Sequence, residues 1–86
     1  MDSVELLEEA MRAVRQIGFE IREECLGVSG GGACVVHGRK MLFLDLNNSP
    51  RQRLDQVLAA LRSDPKSGEV VMTTTLRRVL EATMPA

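Results

Sequence analysis

Ala33-Cys34-Val35-Val36-His37-Gly38-Arg39-Lys40-Met41-Leu42-Phe43-Leu44-Asp45-Leu46 is the stretch on which the fold turns. Two apolar runs flank a short polar break containing glycine, which is the pattern of a β-hairpin. Gly38 at the first central position of His37-Gly38-Arg39-Lys40 predicts a type II′ turn. That turn pairs His37 with Lys40, Val36 with Met41, Val35 with Leu42, Cys34 with Phe43 and Ala33 with Leu44. Directly opposed residues share a face. One face then carries Cys34, Val36, Met41 and Phe43, and the other Ala33, Val35, Leu42, Leu44 and Leu46. Both are apolar, so this hairpin needs helices above and below it, or a second copy of the chain, to keep it from water.

Upstream, Val4, Leu6, Leu7, Ala10, Met11, Ala13, Val14 and Ile17 occupy one half of a helical wheel, and Glu5, Glu8, Glu9, Arg12, Arg15 and Gln16 the other. Asp2 or Ser3 caps this helix, its acids precede its arginines as the macrodipole prefers, and Gly18 stops it. From Phe19 to Leu26 apolar residues alternate with Glu20, Arg22 and Glu24, which predicts a half-exposed strand. Downstream, Ser49 at N-cap, Pro50 at N1 and Gln52 at N3 form a capping box, and Leu54, Val57, Leu58 and Leu61 give the stripe of a second helix ending before Pro65. Lys66-Ser67-Gly68 reads as a loop. Glu69 to Thr73 favours a short extended segment, and Leu76, Val79 and Leu80 a third helix from about Thr75 to Thr83. The expected fold is α+β. A three-stranded antiparallel sheet, containing the hairpin 33–46, packs with two or three helices in the order helix, strand, strand, strand, helix, extended segment, helix.

The 86 residues, 44% hydrophobic and 27% charged with a formal net charge of −1, make a single domain, 1–86, because so short a chain cannot divide into two cores. A chain of this size buries only about 60% of its unfolded surface, which favours self-association. No apolar run approaches the ~20 residues of a membrane helix. With no Trp, no Tyr and only Phe19 and Phe43, there is neither a basic footprint nor a stacking platform for nucleic acid. Three glutamates by residue 9 are unlike the basic start of a secretory signal, so a cytoplasmic protein is expected. Residues 1–26 hold seven acids and three bases, and residues 27–86 five acids and eight bases, an asymmetry able to orient two copies.

Few constellations offer chemistry. Cys25 and Cys34 read as reduced thiols, which would face each other if the segments around the glycines paired as antiparallel strands. Adding His37 gives three weak zinc candidates, but residues 34 and 37 of a regular strand point to opposite faces, and no fourth ligand is evident. Gly27-x-x-Gly30-Gly31-Gly32 offers backbone N–H groups, yet a strand follows it rather than a helix. Arg51 and Arg53 sit in the first turn of the second helix, where the macrodipole disfavours cations, so an anion or acidic protein partner would compensate them. Asp45, Asn47, Asn48 and Ser49 are oxygen donors for a hard cation or, more simply, a helix cap. One histidine and no Gly-x-Ser-x-Gly argue against nucleophilic catalysis.

The stretch from Gly32 to Arg62, with its apolar hairpin, Asp45-Leu46-Asn47 and Arg51-Gln52-Arg53-Leu54, resembles the hairpin-helix core of IrrE-like zinc peptidases. The likeness covers about a third of the chain. The positions matching that family's His-Glu-x-x-His motif are Leu58, Ala59, Ala60, Leu61 and Arg62, so the resemblance implies a non-catalytic relative. Taken together, the residues lead to a small non-enzymatic interaction module without a cofactor, a homodimer whose interface is formed by Val35, Leu42, Leu44 and Leu46. A thiol-redox or metal-binding protein using Cys25, Cys34 and His37 is the alternative.

Overall fold

Asp2 caps the first helix: its Oδ1 accepts a hydrogen bond from the Glu5 N–H at 2.9 Å. Helix α1 (Ser3–Gln16) then runs to Ile17, and Gly18 leaves it at φ +100°, a backbone region that glycine enters without strain. The structure is a computed structural model that describes residues 2–25 and 31–82. After α1 come strands β1 (Phe19–Glu24), β2 (Gly32–Val36) and β3 (Arg39–Asp45), helix α2 (Pro50–Ser63), a 3-10 turn at Pro65–Glu69 and helix α3 (Thr74–Ala82). The α+β class is as the sequence predicts.

The sheet is mixed rather than antiparallel. Its order is β1-β3-β2, with β2 antiparallel to β3 and β1 parallel to it. The physical reason lies in the side chains: β3, apolar on both faces over Met41 to Leu44, takes the centre. β1, with Glu20, Arg22, Glu23 and Glu24, takes an edge, where charge deters further pairing. Gly31 leads into β2 hard against the central strand, since a Cβ there would lie 2.2 Å from the Phe43 carbonyl oxygen.

The hairpin turn also differs from expectation. His37 and Gly38 both have positive φ, 51° and 79°, which is a type I′ turn, and the ladder closes on Val36 opposite Arg39. Cys34 therefore opposes Met41 rather than Phe43, and Val35 opposes Lys40 rather than Leu42. Type I′ places glycine second, after a His, a residue enriched in the left-handed region, and returns Arg39 and Lys40 to the strand. The whole pairing slides by two, so the two face sets survive unchanged.

The helices lie over one face only. Leu42 and Leu44 have no exposed surface and join Leu6, Leu7, Val14, Leu54, Leu58, Leu61 and Leu76 in one core, whereas Met41, on the opposite face, does not. The segment 69–73 forms no strand among the described residues. Glu69 ends the 3-10 turn, Val70 is buried, and Val71 is 88% exposed. Its β-branched residues have no ladder within reach, so they serve as an extended lead into α3. The expected end of that helix at Thr83 lies outside the described residues.

Candidate interaction surface

Because the helices cover a single side, the other face of the sheet meets solvent. β1 contributes Glu20, Arg22 and Glu24 to it, β3 contributes Arg39, Met41, Phe43 and Asp45, and β2 contributes Gly32, Cys34 and Val36. Met41 is shielded by its neighbours, Phe43 is half-buried, and Val36 and Cys34 are exposed. Charged side chains rim this apolar centre. The Arg39 guanidinium lies 3.9 Å from Glu20, and Arg22 lies 3.9 Å from Glu24, both pairs well solvated. Glu20, Arg22, Val36, His37, Arg39, Met41 and Phe43 line a shallow depression of about 560 Å³.

β2 is the barest element. It carries no charge, and four of its five residues are exposed, Val35 to 71% and Val36 to 41%. Of the four residues expected at an interface, Val35 and Leu46 are exposed, but Leu42 and Leu44 are the chain's own core and offer nothing to a partner. The expectation failed there because either face of the hairpin was equally apolar in sequence. The helices chose the one that also contains Leu44 and Leu42.

Cys25 and Cys34 are both exposed, free thiols. They do not face each other across a ladder, since β3 stands between β1 and β2. Two strand spacings separate them laterally by about 10 Å, and five residues of register by about 17 Å along the strands, beyond disulfide reach. His37 sits exposed in the turn. Among the described residues, no group of three or more His, Cys, Asp or Glu side chains is placed to hold a metal ion. Of the glycine-rich stretch, residues 27–30 lie outside the described residues.

Arg51 is matched within its own helix by Asp55, at 3.4 Å. Arg53 is half-buried, and its Nε has no hydrogen-bond partner. The oxygens offered to a hard cation are used locally: Asp45 Oδ1 accepts from the Asn47 N–H at 2.9 Å, and Ser49 Oγ from Gln52 at 3.2 Å, with Gln52 Oε1 returning to the Ser49 N–H. Leu58, Ala60 and Leu61, at positions matching the peptidase motif, are buried in the core.

Sequence reasoning missed the polar junction beneath the sheet. Lys40, placed in the turn by the type II′ register, instead lies on the helix-facing side, donating to the Ile17 carbonyl at 3.0 Å and to Asp64 Oδ2 at 2.7 Å. Its Nζ also stands 5.7 Å from the centre of the Phe19 ring. The Lys40 hydrogen bond, followed by that from the Lys66 N–H, holds the Asp64 carboxyl below the usual carboxylate range. Lys40 shares its parity with Leu42 and Leu44, and that was the available signal.

No helix among the described residues is long and apolar enough to cross a membrane. Comparison with protein-family models, with curated proteins and with solved structures gives no match.

Proposed function

We propose that this chain is a small, non-enzymatic protein–protein interaction module of the cytoplasm that self-associates as a dimer. One observation supports the reading above others: Cys34 and Val36 of β2 lie exposed beside the half-buried Phe43 on the face of the sheet that no described helix covers, and Val35, on the other face, is 71% exposed at the sheet's edge. Contiguous apolar surface of this kind marks a contact site. Size adds to it, because a domain of 86 residues buries a small share of its surface by itself and gains stability from contact with a second copy.

Sedimentation velocity from low to several hundred micromolar concentration tests the proposal. The expected result is a weight-average mass rising from one chain towards two. A folded protein that keeps the mass of a single chain across the whole range overturns it.

A further inference from the structure

The two edges of the sheet are unlike in a way that selects a partner. β1 places Glu20, Arg22, Glu23 and Glu24 along one edge, so a second copy laid against it would oppose glutamate to glutamate. β2, Gly32-Ala33-Cys34-Val35-Val36, has no charge, no proline and no bulge, three of the devices by which an edge strand is kept from pairing.

The turn tells which backbone groups that edge presents. A two-residue type I′ hairpin closes on a hydrogen-bonded pair, Val36 with Arg39, and the alternation of antiparallel ladders makes Cys34 and Gly32 the next residues to turn their N–H and C=O towards β3. Ala33 and Val35 turn theirs outward. Cys34 is the middle residue of the strand. Two copies related by a twofold axis through Cys34 therefore overlap all five residues, and Ala33 of each meets Val35 of the other as a hydrogen-bonded pair. Side-chain sizes agree with this register, since Gly32, beside Phe43, meets Val36 of the second copy. No charge opposes a like charge anywhere along it.

Resting on the self-association proposed above, we infer that the dimer forms by antiparallel pairing of β2 with β2 of a second copy, making one six-stranded sheet whose centre is Cys34 against Cys34. Those two residues occupy a non-hydrogen-bonded site, where Cα atoms stand about 4.5 Å apart, inside the range a disulfide spans. Five paired residues give less area than the ~800 Å² per partner of a standard interface, so the dimer is reversible and micromolar.

Disulfide trapping reads the register directly. Protein carrying Cys25→Ser is incubated with oxidised glutathione, a small-molecule disulfide: two Cys34 thiols lose two protons and two electrons to form one S–S bond, and the probe is reduced to two glutathione thiols. The expected product is a covalent dimer joined through Cys34, formed faster as protein concentration rises. Sedimentation of the reduced protein is compared with Val35→Pro, which removes only an outward N–H, and with Val35→Lys, which charges the edge. Each should weaken dimerisation about tenfold or more while circular dichroism stays unchanged. A dimer that traps no Cys34 disulfide and is indifferent to both Val35 variants overturns the edge pairing and leaves self-association standing. A protein monomeric at every concentration overturns both.

Discussion

Lys40 Nζ lies 2.7 Å from Asp64 Oδ2 and 3.0 Å from the carbonyl oxygen of Ile17, so one cation on the central strand gathers the ends of α1 and α2. Asp64 is 8% exposed and also holds the Lys66 N–H through Oδ1 at 2.8 Å. With the folded-state pKa below the ordinary 3.8, the carboxylate contributes stability that is fully present above that value and is lost as pH falls through the folded-state pKa. The difference in unfolding midpoint between wild type and Asp64→Asn should hold steady from about pH 8 to pH 5 and shrink below about pH 4. Thermal melts across that range check it, and parallel curves down to the acid limit would refute it. Lys40→Met should move the acid limb of Asp64 upward, because it removes the largest cause of the depression.

The two faces of β3 should answer differently to the same substitution. Leu44, without exposed surface, becomes a buried carboxylate on Leu44→Glu, and no folded protein is expected. Leu44→Ala should cost about 3–5 kcal/mol, the usual range for a leucine lost from a packed core. Phe43→Glu lies on the open face opposite Arg22 and should cost less than about 2 kcal/mol, in urea denaturation at neutral pH. A reversed order of the two glutamate variants would mean that the helices cover the other face.

The turn offers a smaller and sharper test. His37 has φ 51°, so Asn, which tolerates the left-handed region better, should stabilise by about 0.5 kcal/mol on His37→Asn, forming the Asn-Gly pair that type I′ turns prefer. Gly38→Ala should destabilise by about 1–2 kcal/mol, since alanine at φ 79° is strained even though nothing crowds the added carbon. In a type II′ turn, position 37 would precede the central pair and Asn would bring no gain, so equilibrium unfolding of these two variants distinguishes the registers.

Those contrasts mark where sequence is informative. The helical stripe of α1 and the capping box of α2 are local, set by residues three and four apart, and both stand where the pattern places them. The face sets of the hairpin are also local, because alternation survives a slide by two. Partner choice is not local. Whether Phe19–Glu24 lies beside β2 or β3, parallel or antiparallel, depends on pairing between segments about twenty residues apart, and side-chain period carries no trace of it. The choice between two equally apolar faces was likewise settled by helices distant in sequence, which took Leu42 and Leu44 of the central strand into the core, while Val35, on the same face but on the edge strand, stayed outside. Lys40 escaped notice because a turn placed one residue late absorbed it.

The attachment of α3 is the least local contact of all and gives the last test. Thr73, just ahead of the helix, accepts the Leu76 N–H on Oγ1 at 3.2 Å, the geometry of an N-cap. Glu9 of α1, sixty-four residues earlier, takes both the Thr73 N–H and its hydroxyl on its two carboxylate oxygens, each at 2.8 Å. The carboxylate thus lies at the positive end of α3 and positions the residue that caps it. Thr73→Ala should cost about 1 kcal/mol, and Glu9→Ala a comparable amount that nearly vanishes when Thr73 is already alanine. Hydrogen exchange should show the amides of Leu76 and Arg77 losing protection in both variants while those of α2 keep theirs. Strictly additive effects in that double-mutant cycle would show that α3 is held by Leu76 and Leu80 alone, and that the contact to Glu9 is incidental.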